Sequence, residues 1–210
     1  MRPDLLVIAG PNGSGKTTTT EALVQHEWSL GAEYINPDVI AEERFGGWNN
    51  PEAVLQAARW AAERRETLLM QGSGMAFETV FSAPDKLEFL RRAKERGYFI
   101  RLFFIGTTDP AINIRRVQQR VVEGGHDVPR NKIVSRYFGA MENLALSLAF
   151  VDRAYLLDNS IDENSIDGHT ATLYARTQDG QLRKRYGEPP EWVDLAIQHL
   201  PRHPQFEQLP

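Results

Sequence analysis

The sequence predicts an α/β fold, a parallel sheet flanked by helices in three layers, and three observations carry that prediction. Leu5-Leu6-Val7-Ile8-Ala9 is a short, wholly apolar run, the pattern of a strand buried on both faces of a parallel sheet. A glycine-rich turn follows it and leads directly into a helical pattern. Strand-like and helix-like segments then alternate along most of the chain, which a parallel sheet with crossover helices requires.

The elements follow in order. Thr17 to Gln25 reads as the first helix, and Tyr34-Ile35 as a short strand closed by Asn36-Pro37-Asp38. Asn50 is placed to cap a long Ala/Glu/Arg-rich helix from Pro51 to about Met70. Met75 to Glu78 is a brief strand, and Pro84 to Arg96 a helix stopped by Gly97. Phe99 to Ile105 is a second buried strand. Helices are predicted from Asp109 to Val122 and from Arg130 to Phe150, and Ala154 to Leu157 is a last core strand. Between Thr170 and Tyr186, alternating runs on either side of Asp179-Gly180 predict a hairpin. A final helix from Glu191 to Leu200 precedes a proline-bearing tail. We expect one domain over 1–210.

Composition narrows the classes. The chain has 210 residues, 41% hydrophobic and 25% charged, which suits one folded core. It contains no cysteine, so disulfides, thiolate zinc sites and cysteine nucleophiles are excluded. A net charge of −4 argues against non-specific nucleic-acid binding. No apolar run is long enough to span a bilayer, and the expectation is a soluble, cytoplasmic protein without membrane partners.

Gly10-Pro11-Asn12-Gly13-Ser14-Gly15-Lys16-Thr17 matches G-x-x-x-x-G-K-[ST], the phosphate-binding loop. Glycines let backbone N–H groups converge on phosphate oxygens, and the following helix aims its positive end at them. Lys16 is of a length to reach the β and γ phosphates, and the Thr17 hydroxyl suits Mg²⁺. The strand before and the helix after supply the required context, so ATP with Mg²⁺ is expected on Gly10 to Thr18. A guanine-reading Asn-Lys-x-Asp motif is absent, because Asn131-Lys132 runs into Ile133-Val134.

Asp38 follows the second strand, where a carboxylate would orient an acceptor hydroxyl; a helix N-cap is the alternative. Glu78 ends the third strand, suited to Mg²⁺ or a substrate hydroxyl, or to capping alone. Thr79 and Ser82 are placed to bond substrate or to cap the next helix. Eleven of the 24 Lys and Arg lie between Arg91 and Arg136. Arg116 and Arg120 share a helix face, Gly124-Gly125 forms a hinge, and Arg136 returns on the next helix. This describes a lid over 116–136 that closes on a triphosphate, or else a solvated basic surface. His126 in the hinge is a substrate contact or a structural turn residue. Leu156-Leu157-Asp158 looks like a Walker B strand end. Its place after the lid favours Asp158-Asn159-Ser160 as a loop beside the nucleobase, with a plain strand-to-turn transition as the alternative.

These pieces together resemble the zeta-toxin family of P-loop kinases. The matching stretches are Ala9 to Thr18, Ile35 to Ala41, Phe77 to Ser82, Arg116-Val117, Arg120 to Pro129, Arg136-Tyr137 and Asp158 to Ser160. The resemblance implies a nucleoside-monophosphate-kinase-like P-loop NTPase fold with a helical lid. It implies transfer of the ATP γ-phosphate to the 3′-hydroxyl of the amino sugar in UDP-N-acetylglucosamine. By that similarity Asp38 is the catalytic base, Lys16 and Thr17 hold ATP–Mg²⁺, and Glu78 is a substrate or metal acid. Arg116, Arg120 and Arg136 are then the charge-stabilising arginines. An antitoxin on a separate chain is a further expectation, and the substrate-binding insertions of larger toxins are reduced here. Two other functions stand beside this one: a polynucleotide 5′-hydroxyl kinase and a nucleotide-dependent switch without catalysis.

Overall fold

Strand β1 (Asp4–Ala9) is buried from Leu5 onward, as its unbroken apolar run demands. Leu5, Val7 and Ala9 enter one core, and Leu6 and Ile8 enter another on the opposite face of the sheet. The computed structural model describes residues 2–47, 50–125, 127–160 and 171–210. Its other strands are β2 (Glu33–Ile35), β3 (Met75–Thr79), β4 (Phe99–Gly106), β5 (Arg153–Asp158), β6 (Thr172–Gln178), β7 (Gln181–Tyr186) and β8 (Arg202–Leu209). They form one sheet in the order β2-β3-β1-β4-β5-β6-β7-β8.

The first five strands in that order are parallel, so their C-terminal ends open on one edge. Ala9 lies level with Thr79 and Phe104, and Gly106 with Asp158. Helices α3 (Pro51–Gln71), α4 (Pro84–Glu95), α6 (Arg130–Ser147) and α7 (Glu191–Ile197) contribute Leu69, Leu90, Leu144 and Trp192 to the larger core. On the other face Leu23 of α1 (Lys16–Val24) and Trp28 pack against Ile8, Phe103 and Tyr155. Helix α5 (Pro110–Val122) and α6 share a small core of their own, Ile114 and Val117 against Val128 and Ile133.

The hairpin forms as predicted. Asp179 (φ 49°) and Gly180 (φ 76°) are both left-handed, the two-residue turn that matches strand twist. Thr170, the expected start of the hairpin, lies outside the described residues. Four elements differ from the sequence reading. Helix α2 (Pro37–Phe45) enters the sequence reading only as the helix that Asp38 would cap; Asn36 caps it, Pro37 opens it and Gly46 (φ 86°) ends it. The last helix stops at Ile197 rather than Leu200, and α6 at Ser147 rather than Phe150. The C-terminal tail is not a tail but β8, parallel to β7. Pro204 obscures it in the sequence, yet an edge strand tolerates a missing N–H. Glu207 anchors β8 through Arg183 (3.0 Å) and Lys184 (2.7 Å).

Candidate active site

The glycine-rich loop runs from β1 into α1 and is gripped by its neighbours. Gly10 N donates to Thr79 O on β3 at 3.2 Å. At Gly13 (φ 75°) a Cβ would lie 2.6 Å from Asn113 O on α5, and at Gly15 (φ 88°) 2.2 Å from Asn159 Nδ2 beyond β5. Only glycine fits these two approaches. Two side chains complete the grip: Asn159 Nδ2 donates to Ser14 O at 2.9 Å, and Asn113 Nδ2 to Asn12 O at 2.7 Å. Helix α1 then starts with no side-chain cap and no acid in its first turn, which leaves its N–H groups to an anion. Ser14 Oγ is buried with no hydrogen-bond partner among the described residues.

Lys16 Nζ folds back onto the carbonyls of Gly10 and Pro11, both at 2.9 Å. Its pKa is lowered to about 8, chiefly by burial and also by Arg120, while Glu78 and Asp38 oppose the shift. The four groups therefore belong to one electrostatic site. They line a cleft of about 470 Å³, with Thr17 and Thr79 on its walls and Arg116, Gln119 and Arg120 of α5, with Glu123 just after it, along one side.

Asp38 sits in the first turn of α2, and the capping alternative is overturned. Asn36 Oδ1 accepts from Asp38 N at 2.9 Å, so Asn36 is the cap and the Asp38 carboxylate is left on the cleft wall. Glu78 Oε1 accepts from Tyr34 Oη at 3.0 Å, and Tyr34 Oη accepts from Asn36 Nδ2 at 3.1 Å. Burial, with Glu78 alongside, holds the Tyr34 phenol far above its usual pKa. Thr79 Oγ1 accepts from Phe81 N at 3.1 Å. Neither Thr79 nor Ser82 caps α4, which has no side-chain cap and opens at Pro84.

Several expected site residues lie elsewhere. Ser82 is not on the cleft wall. Buried Phe81 turns left-handed (φ 60°), and Asn143 of α6 binds the carbonyls of Phe81 (2.9 Å) and Ala83 (3.0 Å). Ser82 O thereby comes against Gly139 of α6. Asp158 is engaged by structure: Oδ2 accepts from Trp192 Nε1 at 2.7 Å and Oδ1 from Ser160 N at 2.9 Å. It is absent from the cleft lining, while Asn159 of that loop touches the glycine-rich turn. Thr18 is exposed on α1 outside the cleft wall. Arg116 Nη1 donates to Asn159 O at 2.7 Å, whereas Arg136 lies off the wall and donates to Asn12 Oδ1 at 3.2 Å. His126 lies outside the described residues.

The sequence reading missed the support behind the loop. Asn113, fully buried, is hydrogen-bonded to Thr107 Oγ1, and Tyr137 Oη donates to Thr107 O at 2.6 Å. Burial pushes the Tyr137 phenol up to about 12. The available signal was an asparagine between Ile112 and Ile114 at a helix position otherwise facing the core.

Fold and site together define a P-loop NTPase-like α/β protein. The chain belongs to the AAA domain family, which matches residues 5–136. An uncharacterized Haemophilus influenzae protein is 28% identical over 141 residues, covering 65% of this chain and 94% of its own. Among solved structures, the AvrRxo1-ORF1:-ORF2 complex with ATP superposes with a TM-score of 0.61 at 18% identity. That match covers 95% of this chain but 65% of the other, so this chain spans less than two thirds of it. A structure of the PezAT chromosomal toxin-antitoxin system of Streptococcus pneumoniae gives a TM-score of 0.56 at 18% identity, covering 75% and 69%. Among the described residues no helix is long and apolar enough to cross a membrane.

Two predictions test this geometry. Asn113→Ala leaves the Thr107 hydroxyl and Asn12 carbonyl without their buried partner and should cost about 2 kcal/mol in urea unfolding; a change within a few tenths contradicts the support role. The second concerns Lys16, whose pKa of about 8 lies below the ordinary 10.5. Between those values the unfolded chain binds more protons, so stability of the nucleotide-free protein rises with pH across that window. Lys16→Met should lack that rise, so its advantage over wild type is largest near neutral pH and shrinks toward pH 10.5. Parallel pH curves of the urea midpoint would contradict it.

Proposed function

We propose that this protein is an ATP-dependent kinase similar to the zeta toxins, moving the γ-phosphate to a hydroxyl of a small, nucleotide-linked acceptor such as UDP-N-acetylglucosamine. The observation that carries the reading is one cleft with the phosphate loop and Lys16 as its floor, Asp38 and Glu78 on one wall, and Arg116 and Arg120 on the other. Such an arrangement suits phosphoryl transfer, which asks mainly for alignment and for cations where charge is spread.

In this reading the loop N–H groups and the uncapped start of α1 hold the phosphates, and Lys16 leaves the carbonyls of Gly10 and Pro11 to meet them. Asp38 accepts the hydrogen bond of the acceptor hydroxyl and orients a lone pair at the γ-phosphorus. As the new O–P bond forms and the bond to the bridging oxygen of ADP breaks, the proton passes to Asp38. Arg116 and Arg120 stabilise the equatorial charge. The arm formed by α5 and α6 acts as a lid that excludes water and so limits hydrolysis. Arg136, on the same arm, holds Asn12 of the glycine-rich loop.

The residues fit a magnesium–triphosphate. The glycine cradle, the free helix start and the orphaned Ser14 hydroxyl all await an anionic group. Among the described residues no three His, Cys, Asp or Glu side chains form a protein-only metal site. Thr17 and Glu78 on the cleft lining would hold Mg²⁺ together with phosphate oxygens, and the ion would supply charge neutralisation there. A separate-chain antitoxin is part of this proposal, supported by the toxin-antitoxin context named for the PezAT structure. The cytoplasm, where ATP is available, is the compartment we assign.

The test is mass spectrometry of a small-metabolite extract incubated with ATP–Mg²⁺ and either wild type or Asp38→Ala. One metabolite should gain a phosphoryl group with wild type alone, while both proteins bind ATP. Equal gain with Asp38→Ala removes Asp38 from its role, and no gain with wild type overturns the kinase reading.

A further inference from the structure

The two acids of the cleft sit on different elements, Asp38 on α2 and Glu78 on β3, yet two side chains in series, Tyr34 and Asn36, link Glu78 to the backbone of Asp38. Tyr34 Oη donates to Glu78 Oε1 at 3.0 Å and accepts from Asn36 Nδ2 at 3.1 Å. The other end of the Asn36 amide, Oδ1, accepts from Asp38 N at 2.9 Å and fixes the first turn of α2. A phenol has one proton to give, and here it goes to Glu78; its lone pair takes the amide proton. The chain therefore runs in one direction, from Asn36 through Tyr34 to Glu78. Each bond also fixes the next group's orientation: the amide cannot flip without losing both the cap and the phenol.

Packing alone does not account for the hydroxyl. The Tyr34 ring covers the smaller core around Ile8 and Ala76, a task a phenylalanine would perform equally. The oxygen is what reaches the site.

We propose that Tyr34 is a positioning residue for phosphoryl transfer: its hydroxyl holds the Glu78 carboxylate and, through Asn36, ties it to the helix start that carries Asp38. The two acids then keep a fixed separation while the α5–α6 arm closes from the opposite wall. This inference rests on the kinase reading for its consequence, though not for its geometry.

Tyr34→Phe keeps the ring and removes only the relay. With ATP–Mg²⁺ and UDP-N-acetylglucosamine as the probe pair, or with whichever metabolite the extract experiment identifies, kcat should fall roughly 10- to 100-fold. KM for ATP should stay within about twofold, because the loop and Lys16 are untouched. In a Glu78→Gln background the same change should have almost no further effect, since Tyr34 acts through Glu78. Full additivity of the two substitutions, or a rise in KM for ATP with kcat unchanged, overturns the proposal. A readout independent of turnover is the side-chain amide NMR signal of Asn36. Glu78→Gln should shift it when Tyr34 is present and leave it still in the Tyr34→Phe background. Equal shifts in both backgrounds, or none in either, overturn the relay. Should wild type phosphorylate nothing, the kinase reading fails by itself and the Asn36 signal still decides whether Tyr34 couples the two acids.

Discussion

The structure depends on the immobilisation of a loop half of whose residues are glycine, with few side chains to hold itself. Gly10 to Gly15 must present N–H groups inward, so its outer surface has to be held by others. Thr79 takes the Gly10 N–H, Asn113 binds Asn12 O and Asn159 binds Ser14 O. These holders stand at the ends of β3, β4 and β5 or just beyond them. The order of the parallel strands brings all three to the β1 terminus, and with them Glu78 and the first turn of α5. The cleft is thus a consequence of strand order, and its fixed backbone dipoles require little rearrangement when charge arrives.

Opposing charges share that cleft closely enough to affect one another. Lys16 is desolvated and has Arg120 nearby, and Asp38 and Glu78 only partly offset the cost of its charge. A nucleotide-free protein carrying such a lysine gives up stability that a bound polyanion would return, as expected of a binding site rather than a structural ion pair. Ion pairs elsewhere are of the other kind. Asp152, almost fully buried, receives Arg2 and Lys94 at 2.9 Å each and the Ile100 N–H, and it ties the far end of the sheet together.

Much of this was legible in the sequence because local chemistry and global fold agree. The apolar run of β1, the glycines and Lys16 each have one sensible place, and the Asp179-Gly180 turn announces its hairpin. What escaped notice was non-local. Pro204 hid β8 because nothing in the sequence says that the strand lies at an edge. Asn36 and Asp38 are both good capping residues, and only the backbone shows which one caps. The sequence places Asp158 in a loop beside the nucleobase, but it does not show that Trp192, 34 positions away, binds its carboxylate. Ser82 fell out of the cleft through the left-handed backbone of Phe81, an unusual conformation for a bulky residue that no sequence pattern signals. Asn113 and Tyr34 read as ordinary core positions, and their polar atoms acquire meaning only from partners brought in by the sheet.

The central claim is that the triphosphate seats on the glycine-rich loop between Asp38 and the arginines of α5. A crystal structure with magnesium and a non-hydrolysable ATP analogue tests it most directly. The account predicts the phosphates in the cradle of Gly13 to Thr17, with Lys16 Nζ drawn off the Gly10 and Pro11 carbonyls and onto them. An analogue bound elsewhere, such as the apolar cavity of about 700 Å³ lined by Phe138, Met141 and Leu195, with Lys16 unmoved, would contradict it.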